Sequence, residues 1–200
     1  ILFTAAALLV ALLLPAHKHA SFKSVVAQQE NSSTEVSADF GSFLDDVSYT
    51  GKHETKGDEG LSLYRQPSSR AAVEWFYLHV TGDRDVSMAI LESANKNDIP
   101  LSLAFALAYT ESRYDRLAVN RNTNASIDRG LFQLNNASFP QLSENEFFDP
   151  AVSAKYGMSH LRFCLNVAGN EISALAMYNA GTSKVRTNST PQRTLDYIGK

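Results

Sequence analysis

The chain opens on an almost unbroken apolar run, Ile1 to Ala16 (ILFTAAALLVALLLPA). It is shorter than the ~20 residues needed to span a bilayer. It suits the apolar core of a secretory signal, with small residues following at Ala16, Ala20 and Ala27. Val25-Val26-Ala27 reads as the cleavage site. The basic start and the initiator Met of such a signal are missing, so the natural N-terminus is expected to lie further upstream. A buried core helix is the bland alternative, but the Ala/Leu monotony favours export; an uncleaved anchor stays open. Residues 28–69 are rich in Ser, Thr, Gln, Gly and charges and hold no sustained apolar period. Such a stretch buries too little surface to offset ordering entropy. It reads as a flexible linker between an export signal at 1–27 and a domain at 70–200, with Phe40, Phe43 and Leu44 as local docking points at most.

From Arg70 onward the pattern turns helical. Ala71, Trp75, Leu78 and His79 lie near helical spacing, and Gly82 can stop the segment. Asp85 to Asn97 follows, with Val86, Met88, Ala89 and Ile90 as its apolar face. Asn97-Asp98-Ile99-Pro100 is a turn, and Pro100 fits the first position of the next helix. The stretch from Leu101 to Tyr109 is apolar nearly all round, which predicts a helix buried on every side. Asn, Thr, Ser, Asp and Gly then break the pattern over 118–135, and Asn122 to Asp128 predicts a small hairpin or ordered loop. Helices resume at Asp149-Pro150, a cap followed by Pro at the first helical position. That helix runs to about Val167, and Gly169-Asn170 separates it from Glu171 to Ala180. Gly181 is expected as the left-handed residue ending that helix. The sum is a mainly α domain of five or six helices with at most a small β-hairpin.

Composition removes several classes of function. Net charge is −3, with Lys and Arg scattered rather than blocked, so no electrostatic footprint for nucleic acid exists. Small exported domains often carry paired cysteines, yet this chain has only Cys164, in the apolar-rich segment 160–165. A buried, inert thiol is the default, and stability must come from packing. There is no His-Glu-x-x-His, no zinc-type Cys pair, no Gly-rich phosphate loop and no Gly-x-Ser-x-Gly. His17 and His19 flank the export signal; His53, His79 and His160 are isolated, and solvated or core-satisfied roles suit them.

Glu111 stands apart as the first charge after the long apolar run, at the edge of a buried core. Burial raises a carboxyl pKa. A rise of two units corresponds to about 2.7 kcal/mol and keeps the group protonated near neutrality as a general acid. Taken alone, a carboxylate marking the solvent end of a helix is the simpler reading.

Its surroundings reverse that preference. Glu111-Ser112, then Gly130-Leu131-Phe132-Gln133-Leu134-Asn135, then Ala176-Met177-Tyr178-Asn179-Ala180-Gly181 resemble three blocks of the lysozyme-like lytic transglycosylase family, in the family's order. The Asp149-Pro150 helix with Gly157 and Leu161 is similar to the family's intervening segment. The likeness covers about residues 84–200. It implies a lysozyme-like helical domain that cleaves the bond between N-acetylmuramic acid and N-acetylglucosamine in peptidoglycan. Glu111 would act first as acid and then as base on the muramoyl C6 hydroxyl, leaving a 1,6-anhydro end. Tyr178 matches the tyrosine that orients the catalytic carboxyl. Ser112, Gln133 and Asn179 match family positions at the sugar groove, and Tyr197 is a further groove candidate from the last helix. Tyr178 as plain core and Asn179 as a helix terminus are the bland readings.

The stretch from Glu111 to Asn135 also resembles animal-type lysozyme, with Asn120, Asn122, Ser126, Asp128 and Gln133 in register. Asp128 then falls where a retaining hydrolase places its second carboxylate, although Asp also caps turns well. The absent disulfide cysteines and the Tyr-Asn-Ala-Gly block favour the transglycosylase. Phe132 replaces the family's usual Met, with an effect expected on groove packing. Asn120, Ser126 and Gln133 would match hydroxyl and acetamido groups of the sugars. No metal or cofactor is implied. Three readings stay open: a transglycosylase, a muramidase using Asp128, and a silent glycan-binding scaffold. The expected setting is the periplasm or cell envelope, with a membrane tether and envelope machinery as further partners left open.

Overall fold

The computed structural model describes residues 58–199. The apolar run, the cleavage stretch and the linker up to residue 57 lie outside the described residues. Among those described, nine helices surround one small antiparallel sheet: α1 (Glu59–Arg65), α2 (Pro67–Thr81), α3 (Arg84–Lys96), α4 (Leu101–Ser112), β1 (Val119–Arg121), β2 (Ile127–Arg129), β3 (Leu134–Asn135), α5 (Glu144–Phe148), α6 (Pro150–Ala168), α7 (Glu171–Ala180), α8 (Thr182–Arg186) and α9 (Gln192–Ile198). The class is mainly α, as the pattern of the chain predicts. Of the short helices only the last, α9, was expected, and the sheet gains a two-residue third strand beyond a hairpin.

Helix starts follow local chemistry. Asp83 caps α3 by accepting from Asp85 and Val86, and Asp149 caps α6 by accepting from Ala151 and Val152. Ser143 and Glu146 close a capping box on α5. Gly82 and Gly169 end α2 and α6 in the left-handed region. Gly181 ends α7 at positive φ (90°), the side open to glycine, but its ψ of 146° lies outside the left-handed helical well, and the residue also begins α8.

Ordered helix begins earlier than composition suggested. Residues 59–69, assigned to the linker, form α1 and the start of α2, and Leu61 and Tyr64 are buried in the core. Two apolar side chains one turn apart are too short a pattern to read against a polar background. Asp58 anchors this segment. One carboxylate oxygen accepts from Leu61 N (2.9 Å) in α1 and from Leu101 N (3.0 Å) at the start of α4, where Pro100 offers no side-chain cap.

α6 packs against both α3 and α7, and Arg162 reaches from it to the Asn97 and Asp98 carbonyls in the turn before α4. α4 buries Leu101, Ala104, Phe105, Leu107 and Ala108, but Ser102, Ala106 and Tyr109 face outward. A stripe of the helix predicted to be buried all round is therefore solvated. α2 turns Val73 and Tyr77 to the core, with Tyr77 stacked on Phe105 at 3.8 Å, while Trp75 stays exposed. Phe132 is fully buried on Gly157 of α6 rather than shaping the groove, as had been expected of it.

Two glycines mark close approaches. A Cβ on Gly157 would stand 2.5 Å from the Phe132 ring, and one on Gly130 (φ +76°) would stand 1.9 Å from the Phe147 carbonyl oxygen. Gly82 has a similar φ and open space around it. Gly157→Ala and Gly130→Ala should each cost about 1–3 kcal/mol or more from overpacking. Gly82→Ala should cost only about 1 kcal/mol of backbone strain. Urea denaturation of the three variants checks this, and equal losses would refute the packing argument.

Candidate active site

Glu111 and Ser112 occupy the last turn of α4, and Arg113, at φ 54°, turns the chain away. The Ser112 hydroxyl donates to the Leu131 carbonyl at 2.8 Å. It fastens the end of α4 to the Gly130–Leu134 loop and does not line the groove. Glu111 does line it, at a cavity of about 750 Å³ walled by the sheet on one side and by the ends of α7, α8 and α9 on the other.

The carboxyl of Glu111 is pushed up to about 7. Burial is the main cause, the negative charge of Asp128 adds to it, and a hydrogen bond from Tyr197 opposes both. That bond is 2.5 Å long, from the Tyr197 hydroxyl to Oε1 of Glu111. The tyrosine expected to hold the carboxyl was Tyr178, whose hydroxyl instead donates to the Phe132 carbonyl at 3.1 Å. Burial and the nearby Glu111 raise both phenols well above their usual value, so both remain donors. Tyr178 still lines the groove next to Glu111's field, while Tyr197 supplies the direct contact.

Tyr197 reaches that position from the last helix. Thr194, one turn earlier on the same face of α9, is buried and donates to Asn179 Oδ1 at 2.8 Å. Asn179 thus joins the end of α7 to α9 as well as bordering the groove.

The opposite wall is a net of amides. Oδ2 of Asp128 accepts from Asn120 (3.2 Å) and Asn122 (2.9 Å), and its Oδ1 accepts from Asn135 (2.6 Å). Ser126 accepts from Asn122 and Asn135 and donates to Asn124. β1 pairs Asn120 with Asp128, and β2 pairs Asp128 with Asn135, so the register itself converges these groups. Gln133, at φ 47°, donates its amide to the Ala118 and Gly130 carbonyls, which fixes it at the groove. Asn120, Ser126, Asp128, Gln133 and Asn179 therefore meet in one place, with Glu111 and Tyr178.

Sequence reasoning did not single out Asn124 and Asn135 as groove residues, although the density of Asn over 120–136 was a signal. It also missed Arg121, Lys184 and Arg193, which line the groove from β1, α8 and α9 and carry no motif. His160 borders the groove beside Tyr178, and burial holds it down to about 4, so it stays neutral. Burial pushes the Cys164 thiol up to about 12, which leaves it unreactive. Among the described residues no cluster of His, Cys, Asp and Glu could hold a metal ion, and no helix is long and apolar enough to cross a membrane.

Residues 88–198 match the family model described as the transglycosylase SLT domain. Protein IpgF of Shigella sonnei is 33% identical over 98 residues, which cover 46% of this chain and 64% of the relative. Invasion protein IagB of Salmonella typhimurium (strain LT2) is 32% identical over 104 residues, 49% of this chain and 65% of the relative. The chain thus spans a little under two thirds of the length of these curated relatives. No solved structure matches. Tyr197, a groove candidate in the sequence, holds Glu111 without itself lining the groove. The family match takes in more than half of the chain and every groove residue from Glu111 to Arg193, and the protein belongs to the transglycosylase SLT domain family.

Proposed function

We propose that this domain cleaves the β-1,4 bond between N-acetylmuramic acid and N-acetylglucosamine in peptidoglycan by lytic transglycosylation, with Glu111 as the one acid and base. The observation that carries the reading is a carboxyl poised near neutrality at the edge of an amide-lined groove. Such a group is protonated often enough to donate and ionised easily enough to accept. Protonated Glu111 gives its proton to the bridging oxygen as the bond to the muramoyl C1 breaks. The N-acetyl group of the same sugar can support the developing charge. Glu111, now a carboxylate held by Tyr197, takes the C6 hydroxyl proton while O6 bonds to C1. No water is consumed, and the strand ends in a 1,6-anhydro ring.

A retaining muramidase would use Asp128 on the anomeric carbon. Both oxygens of Asp128 already accept amide hydrogens, which suits a carboxylate that braces the wall better than a nucleophile. A silent scaffold has no use for a carboxyl kept out of water at such cost. Export to the cell envelope, an N-terminal membrane tether and service to an envelope machine fit this substrate and belong to the same proposal.

Digestion of purified sacculi with mass analysis of the products is the test. Anhydromuramoyl ends are expected. Reducing muramic acid ends would establish the hydrolase, and no product the scaffold.

Glu111→Gln should lower turnover by about 10³-fold or more, since one group serves both proton transfers. It should also stabilise the fold at pH 8. The folded pKa of about 7 lies above the unfolded value of 4.5, so stability falls as pH rises from about 4.5 to about 7 and stays lowered above. The full shift is worth roughly 3 kcal/mol, of which a buried Gln should recover about 1–3 kcal/mol. Unfolding at pH 4 and pH 8 reads the difference; equal stability of the two proteins at pH 8 would refute the burial argument. Tyr197→Phe removes the bond that holds the Glu111 pKa down, so the alkaline limb of kcat/KM should move to higher pH while kcat falls about tenfold. An unmoved limb would detach Tyr197 from Glu111. Asp128→Asn should cost less than about tenfold in kcat on sacculi; a loss approaching that of Glu111→Gln would favour the hydrolase.

A further inference from the structure

The two walls of the groove differ in charge. The sheet wall presents amides together with Asp128 and Arg121, whose charges oppose one another, whereas the opposite end presents Lys184 from α8 and Arg193 from α9 with no carboxylate among its own lining residues. These short helices flank the 187–191 turn, and the two cations come close enough that Arg193, after burial, holds the Lys184 ammonium below its ordinary value. Neither takes part in the ion pairs found among the described residues, Arg65–Asp98 and Arg129–Glu144. Like charges brought together without a counterion are unfavourable, and an anion between them relieves the repulsion.

We propose that Lys184 and Arg193 form a carboxylate-binding subsite for the acidic substituent of the muramoyl sugar, which distinguishes wall strands from neutral β-1,4 glycans. The proposal rests on the reading of the groove as a peptidoglycan site. A strand of N-acetylglucosamine alone carries no charge. A muramoyl residue carries a lactyl group that ends either in its own carboxylate or in a peptide with carboxylates further out. The amides of the sheet wall can match the hydroxyl and acetamido groups common to both glycans, and Arg121 on that wall has the charge of Asp128 beside it in the groove. The cation pair can tell the two glycans apart. Arg193 also stands one turn before Tyr197 on the same face of α9, so a bound carboxylate would seat the helix that holds Glu111.

The test uses full-length Glu111→Gln protein and calorimetric binding of three probes. These are glycan oligomers with peptide stems, the same oligomers with their carboxyls converted to amides, and stem-free oligomers that keep the lactyl carboxylate. The stem-bearing or the stem-free acidic strands should bind about three- to tenfold tighter than the amidated ones. Whichever shows the preference identifies the carboxylate. Adding Lys184→Gln and Arg193→Gln should erase that difference, and raising salt from low to physiological should shrink it. Equal binding of acidic and amidated strands, or an equal loss on both in the variant, would overturn the subsite. Cleavage of sacculi by the unmutated protein with no charge preference would overturn the subsite alone. No glycan binding and no cleavage would overturn the function with it.

Discussion

A carboxyl group held out of water at the end of an apolar helix is the constraint around which this domain is organised. An ionisable group tolerates burial only when the surroundings fix it and limit the cost. α4 supplies the first requirement through Leu101, Ala104, Phe105, Leu107 and Ala108, which lock the helix in the core. Asp58 ties down its start, and Ser112 ties its end to the Leu131 carbonyl. Tyr197 supplies the second requirement, donating to Glu111 and so offsetting part of the burial. Helix position and carboxyl chemistry are set by contacts that converge from residues 58, 131 and 197.

The polar wall opposite Glu111 is built on equally close packing. Gly130 lets the chain pass against the Phe147 carbonyl, and Gly157 receives Phe132. The Phe132 amide donates to buried Ser153 on α6, and its carbonyl accepts from Tyr178 on α7. One residue with an apolar side chain therefore joins the sheet loop to two helices through its backbone. The amide net of Asn120, Asn122, Asn135 and Ser126 around Asp128 rides on that platform. A groove assembled from side chains that already hold one another loses little freedom when a ligand enters.

Much of this was legible in the chain. The cap at Asp149, the stops at Gly82 and Gly169, and the apolar run before Glu111 are local signals acting over one turn, and helices form where they point. Three short blocks in a fixed order identified the family, because each combines chemistry-bearing residues with the glycines and apolar residues that position them. α1 was not legible, since its two core residues lie in a polar stretch and gain their meaning only from the surface they meet.

What the sequence determined by itself, then, was the helical class, the order of the main elements and the place of Glu111 as a lone carboxyl at the end of an apolar helix. Tertiary structure decided how that carboxyl is held. Tyr178 sits in the recognisable block, yet the hydrogen bond to Glu111 comes from Tyr197, 86 residues away in sequence. Asp128 carries the right charge at a suggestive position, yet strand register surrounds it with amides. Lys184 and Arg193 belong to no motif and become a pair only when α8 and α9 fold beside the groove. Caps and periodicity act within a few residues and so can be read along the chain. Hydrogen-bond partners and charge neighbours depend on distances through space, which only the packed fold fixes.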